Sequence, residues 1–274
     1  RPESESREHA ARARATKALL ADFPAEEVER HFGRLPERYL RVTDAARMER
    51  HFRLLRRLDK APATAEWRDE EDGHCSELTV AVANDRPGLF AALAGTLTAS
   101  GADILSVDLF TREDGVVLDT FRLSEQSTNH PVRPERQGRI EASVAEAVAG
   151  RLDVGTAVDK WRSRTPSRSR RHWGRAAKAP KVRFDNEASA AATVVEVRAQ
   201  DQPGLAYVIA DALADLGLDI TFAKIATAKA LALDVFYVTD AQRRKLGAEA
   251  LPAVEEALLR ALGTKPKRNP KEAE

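Results

Sequence analysis

The sequence repeats itself, and no other feature constrains the fold as strongly. Asp85-Arg86-Pro87-Gly88-Leu89 returns as Asp201-Gln202-Pro203-Gly204-Leu205, 116 positions later. Gly101-Ala102-Asp103-Ile104 returns as Gly217-Leu218-Asp219-Ile220 at the same offset. Leu118-Asp119-Thr120-Phe121 returns as Leu233-Asp234-Val235-Phe236 at offset 115, so one residue is lost where a hairpin turn would sit. Three landmarks in one order mean two copies of one module. With 274 residues the chain is long enough for two ordinary domains.

Each copy predicts the same elements. A strand (Leu78 to Ala83; Val194 to Ala199) runs into the Asp-x-Pro-Gly loop. A helix follows, with Leu89, Leu93 and Leu97, or Leu205, Ile209 and Leu213, at the i, i+4, i+8 positions of one face. Gly101 and Gly217 sit where a left-handed residue would stop that helix. Two strands then form a hairpin, Ile104 to Thr111 with Val116 to Leu123, and Ile220 to Thr227 with Leu231 to Val238. The first turns at Asp114-Gly115, a two-residue hairpin signal. A second helix closes each copy (Arg139 to Leu152; Leu251 to Leu262). The order β-α-β-β-α opens a ferredoxin-like βαββαβ unit. The expected fold class is therefore α+β, two such units with antiparallel sheets behind a helical segment. For the fourth strand, Val182-Arg183-Phe184 is the candidate in the first copy, and the second copy offers none.

The first strands disagree in parity. Leu78, Val80 and Val82 share one face, whereas Val195, Val197 and Ala199 occupy the alternate positions of the second strand. A one-residue slip turns a strand over, yet the helix registers of the two copies agree. The expectation is that both faces of the first sheet are covered, by helices on one side and by another sheet or the N-terminal segment on the other.

Residues 1–60 read helical: Glu8 to Ala21, then Ala25 to Phe32 after Pro24, then Ala45 to Leu58 with Met48, Phe52, Leu55 and Leu58 at helical spacing. Glu66 to Asp72 is acidic and reads as a linker. The expected boundaries are 1–72 for the helical segment and linker, 73–188 for the first unit with a basic insert near 160–180, and 189–274 for the second unit with a polar tail. Lys160 to Arg183 holds ten Lys or Arg and no acid, with Trp161 and Trp173 inside it. A basic stretch with aromatics can bind nucleic acid, and the plainer reading is a solvated insert. The whole chain balances 44 basic against 43 acidic residues, which argues against a dedicated nucleic-acid or membrane-surface protein. A single cysteine, Cys75, excludes an internal disulfide and fits a reducing cytoplasm. The sequence has no 18-residue apolar run and no apolar signal core at its start. It begins at Arg1 without Met, so it is expected to be a fragment or a trimmed product.

The Asp-x-Pro-Gly loop has a chemical logic. Proline near the first helical position costs no hydrogen bond. Glycine lets a ligand or a neighbouring backbone come close. The free N–H groups of a helix start attract a carboxylate, and the aspartate can accept from an ammonium. A free amino acid carries both charges. The candidate ligand residues are Asp85, Arg86, Pro87, Gly88 and Leu89, with Asp201, Gln202, Pro203, Gly204 and Leu205. A capped helix start without a ligand is the plainer alternative. Asp119 and Asp234 lie on strands and read as structural, with a domain interface as their other place. Six scattered histidines lack metal-ligand spacing, and no Walker loop, nucleophile elbow or zinc-protease motif occurs. No catalytic or metal residue is assigned.

At these residues the chain resembles a pair of ACT domains. Val80-Ala81-Val82-Ala83-Asn84-Asp85-Arg86-Pro87-Gly88-Leu89-Phe90 and Asp234-Val235-Phe236-Tyr237-Val238-Thr239-Asp240 are similar to the C-terminal tandem ACT region of the bifunctional PII uridylyltransferase/uridylyl-removing enzymes. The hairpin Phe110-Thr111…Leu118-Asp119-Thr120-Phe121, the junction Val182-Arg183-Phe184-Asp185-Asn186-Glu187 and Pro36-x-Arg38-Tyr39 agree. The resemblance implies a region that senses glutamine and biases an enzyme between attaching UMP to the PII signalling protein and removing it. It also implies Mg and UTP for catalytic domains that these residues do not contain. Two departures stand out: Ala226-Thr227-Ala228-Lys229-Ala230 replaces a Gly-Glu turn, and Gln202 replaces the usual Arg that Arg86 keeps. A free-standing ACT regulator acting through dimerisation or a partner is the alternative.

Overall fold

The computed structural model describes residues 14–69, 73–126, 128, 130–164, 179–200, 202–225, 227–228 and 231–263. After a helical stretch at residues 14–19 come three helices, α1 (Ala25–Gly33), α2 (Glu37–Val42) and α3 (Ala45–Arg56), the last capped by Asp44, which accepts from the Arg47 N–H. The first unit then runs β1 (Ala63–Asp69), β2 (Ser76–Val82), α4 (Leu89–Ala99), β3 (Ala102–Thr111), β4 (Val117–Glu125), α5 (Pro134–Val148) and α6 (Val154–Arg164). The second runs β5 (Lys181–Asp185), β6 (Thr193–Gln200), α7 (Leu205–Asp215), β7 (Asp219–Lys224), β8 (Thr227–Ala228), β9 (Leu231–Thr239) and α8 (Leu251–Ala261).

Both sheets are antiparallel and have the same order, β1-β2-β4-β3 and β5-β6-β9-β7, with β8 pairing β9. This is the ferredoxin-like arrangement, α+β as expected, with one difference. In both units the edge strand is supplied from the N-terminal side. The stretch expected to be an acidic linker is largely β1, whose Trp67 lies opposite Leu78. Its charged residues resemble a linker's, but Ala63, Ala65 and Trp67 alternate with Thr64, Glu66 and Arg68 and pack on the core. Likewise Val182 and Phe184 do not complete the first sheet. They belong to β5, which pairs with β6, so the second unit begins ahead of residue 189.

The stripe residues of α4 and α7 are core residues: Leu93, Leu97, Ile209 and Leu213 are wholly buried. Each such side chain contributes about 1.5–3 kcal/mol by leaving water. Gly101 and Gly217 end their helices at φ +75° and +69°. The first hairpin turns through Glu113, Asp114 and Gly115, one residue longer than expected, with Arg112 N–H donating to Val116 C=O. β3 and β7 carry matching bulges, after Ile104 and after Ile220. Residues 226, 229 and 230 of the second turn lie outside the described residues.

The difference in parity is resolved by the register. Leu78 lies opposite Phe121, and Val195 opposite Phe236, so Val195 is the counterpart of Leu78, at offset 117. The glycines after these strands keep offset 116, so the second loop is one residue shorter and the inward faces coincide. The first sheet is also covered on both sides. Its outer residues Ala81, Phe110 and Leu118 are buried beneath α1–α3 with Tyr39, Met48 and Phe52. Arg47 of α3 pairs with buried Glu77 of β2. The hairpin tip is tied to α1: Glu113 N–H donates to Arg34 C=O at 3.0 Å, and Arg34 pairs with Asp114 at 2.8 Å. The second sheet lacks this cover at Leu233, the counterpart of Leu118, which is 39% exposed.

The units lie side by side. β3 packs along β7, and α4 packs on α7 behind them. A pseudo-twofold relation follows, with each Asp-x-Pro-Gly loop facing the other unit.

Candidate functional site

Each loop ends in a glycine that the backbone requires. Gly88 and Gly204 take φ +78° and +80° as the residues preceding α4 and α7. No side chain caps either helix; the first helical N–H of each donates within its own loop, Leu89 to Arg86 C=O and Leu205 to Gln202 C=O, both at 3.1 Å. Gly88 sits beside Ala214, the position 116 residues beyond Thr98, and Gly204 sits against Thr98 itself. A Cβ on Gly88 would stand 3.7 Å from Ala214 Cβ, and one on Gly204 would stand 2.8 Å from Thr98 Cγ2. The two ends of the seam are thus equivalent in plan and unequal in room.

At the first end, Asp85 is fixed from three sides. Its N–H donates to Gly115 C=O at 2.8 Å, Thr111 Oγ1 donates to its carboxylate at 3.4 Å, and Arg243 of the second unit lies 3.7 Å away. Burial raises the Asp85 pKa above the usual carboxylate range. Asp219, at the start of β7, is raised by burial and then by the Asp85 charge. Asp119, buried on β4, is raised well above its ordinary value by burial and again by Asp85. Three carboxylates from two units therefore share one region and resist ionising together. At the second end Asp103 and Asp234 occupy the equivalent positions, beside Gln202 and Gly204. They line a cavity of about 20 Å³, which is room for one water.

Residues 193–256 match the ACT domain family. Over 252 residues the chain is 35% identical to the bifunctional uridylyltransferase/uridylyl-removing enzyme of Azospirillum brasilense, covering 90% of this chain and 26% of that protein. The enzymes of the same name from Gluconobacter oxydans and Rhodospirillum rubrum are each 33% identical, over 98% and 88% of this chain and 28% and 26% of their own lengths. This chain is homologous to part of that enzyme. It spans about a quarter of the length of the curated relatives it matches.

The two units use the expected loop residues in different ways. Asp85 and Gly88 lie at the seam. Arg86 turns away and donates to Ala147 C=O at 2.9 Å, closing the end of α5. Pro87 and Pro203 are exposed, while Leu89 and Leu205 are core residues at 3% and 5% exposure. Gln202 and Gly204 line the small cavity, and Asp201 lies outside the described residues. Asp119 and Asp234 are buried near the seam. Asp103, Asp219, Thr98 and Arg243 were not assigned from the sequence, although Asp103 and Asp219 stand inside a repeat landmark. That recurrence was their available signal.

Among the described residues no three His, Cys, Asp or Glu side chains are arranged to hold a metal ion. No helix among the described residues is long and apolar enough to cross a membrane. Of the basic stretch, residues 165–178 lie outside the described residues.

Proposed function

We propose that this chain is an amino-acid-sensing regulatory region, with glutamine as the foremost ligand, bound at the ends of the seam between the two ACT units. The supporting observation is the pairing of opposite poles at each end. A helix start without a side-chain cap suits a carboxylate. Beside it, carboxylates such as Asp85, Asp119 and Asp219 have raised proton affinity, and an ammonium relieves that mutual repulsion. An α-amino acid supplies both charges on adjacent atoms.

In the longer enzyme, the ligand would act by population shift. It binds one arrangement of the ACT pair better, and that arrangement favours one catalytic domain. The reaction so controlled is attachment or removal of UMP on the PII signalling protein, with Mg and UTP serving the catalytic part. Glutamine reports nitrogen supply, so the modification would follow it.

Isothermal titration of the chain with L-glutamine tests the reading, with L-glutamate and 2-oxoglutarate as controls. Saturable heat selective for glutamine, weakened at least tenfold in Asp219→Ala, is the expected result. A folded chain that gives no heat with any of the three reduces the loops to helix starts without a ligand.

A further inference from the structure

Helix α2 touches both units. Tyr39, fully buried, meets Phe110 of β3 edge-on with ring centroids 5.1 Å apart. Its hydroxyl lies 2.9 Å from His51 Nδ1 of α3, which joins α2 to the neighbouring helix, while the Phe110 contact seats it on the first unit. The preceding residue, Arg38, reaches over the seam. Its guanidinium carbon lies 3.3 Å from the ring centroid of Phe222 on β7 and 5.6 Å from that of Phe110 on β3. Phe222 is held in turn by Tyr237 of β9, edge-on at 5.0 Å. The units are therefore joined through α4 and α7 on one side of the sheets, and through Arg38 on the other.

The closed seam is too tight for an amino acid at its second end. The second end holds about 20 Å³, and a ligand of about ten non-hydrogen atoms needs several times a single water's volume. Entry there therefore requires the units to part, and every interaction that breaks as they separate opposes binding. Where only an open fraction is competent, the apparent dissociation constant is the intrinsic one divided by that fraction.

We propose that Arg38 is a latch on the seam: stacked on Phe222 while its neighbour Tyr39 anchors α2 to the first unit, it holds the ACT pair closed and sets its ligand affinity. This rests on the seam being the amino-acid site. It also gives the Pro-x-Arg-Tyr stretch a physical task. The guanidinium is half-buried between two aromatic rings from different units, where a cation–π interaction is stronger than at a free surface.

The test compares the chain with Arg38→Ala, Arg38→Lys and Phe222→Leu by isothermal titration with L-glutamine and by amide exchange in β3 and β7 without ligand. The latch predicts tighter L-glutamine binding in Arg38→Ala and Phe222→Leu, by about threefold to tenfold. Arg38→Lys falls between, since it keeps the charge and loses the planar stack. Exchange in β7 rises in the two truncations. Weaker or unchanged binding in both truncations overturns the latch, because a merely structural Arg38 lowers stability without improving affinity. If the parent chain does not bind L-glutamine, the sensing reading fails by itself. The latch is then decided by exchange alone: faster in β3 and β7 with β2 and β6 unchanged upholds it, and unchanged or uniformly faster exchange overturns it.

Discussion

Gly95 of α4 lies directly against the ring of Tyr207 of α7, so close that a Cβ there would stand 2.7 Å from the Tyr207 ring carbon Cδ2. Val154 of α6 crowds the same point. In an open helix, Gly→Ala gains about 0.8–1.0 kcal/mol. Here the clash decides the sign. Gly95→Ala is expected to destabilise by about 1–3 kcal/mol, the usual cost of overpacking. Thermal unfolding measures it, and a raised melting temperature would show that α4 and α7 are not held this closely.

The two loop glycines separate backbone strain from crowding. Both have positive φ, so alanine at either costs about 1–2 kcal/mol. Gly204→Ala adds a collision with Thr98, while Gly88→Ala meets only an ordinary van der Waals neighbour in Ala214. Gly204→Ala should therefore be the worse by about 1 kcal/mol or more, and Thr98→Ala should recover that excess when combined with it. Urea unfolding of the four variants checks the ordering. Equal losses at both glycines would mean the seam is equally roomy at its two ends.

Two buried histidines predict acid sensitivity. His31 is pulled down to about 3 by burial and then by the Arg112 cation. His51 is pulled down to about 3 by burial and then by Arg47 and Arg50. Both stay neutral in the folded chain while the unfolded chain protonates them below about 6.5. The unfolded state thus binds more protons between about pH 6.5 and pH 3, and stability falls as pH falls through that window. Above about pH 6.5 the contribution is fully present. Each histidine adds about 1 kcal/mol per pH unit to the slope well inside the window. Melting curves from pH 7.5 to 5 should show the fall, and His31→Gln should flatten it. A parallel curve for that variant would contradict the assignment.

Asp119 has the opposite sign. Its folded pKa is raised, so ionising it in place opposes folding as pH rises from about 3.9 through the raised value. Asp119→Asn keeps the shape and an acceptor for the Phe110 N–H. It should stabilise the chain by about 1 kcal/mol or more at pH 8 and change little at pH 4. The same variant should weaken binding of an amino acid, since one partner of the ammonium's field is gone. Gained affinity would argue against an ammonium at this end.

Much of this architecture was legible because repetition and periodicity are local signals. The stripes of α4 and α7, the stop glycines and the hairpins each follow from a few residues. β1 was not, because it alternates apolar with charged residues and reads as a linker, and β5 was legible as a strand at Val182 to Phe184 but not as a member of the second sheet. Nor was the seam. Asp219 becomes part of the Asp85 site only when β7 lies beside β3, and Arg38 meets Phe222 across 184 positions of sequence. Pairings between modules leave no spacing to read.

The N-terminal origin of β5 dictates where the second unit can be cut loose. A shortened chain starting at residue 189 discards Val182 and Phe184 and strips β6 of its outer neighbour. The bared row of backbone donors and acceptors on Val194 to Arg198 would then seek another strand, and the nearest supply is a second molecule. Such a fragment should self-associate, whereas one starting at residue 179 carries its own edge protection and should stay dispersed.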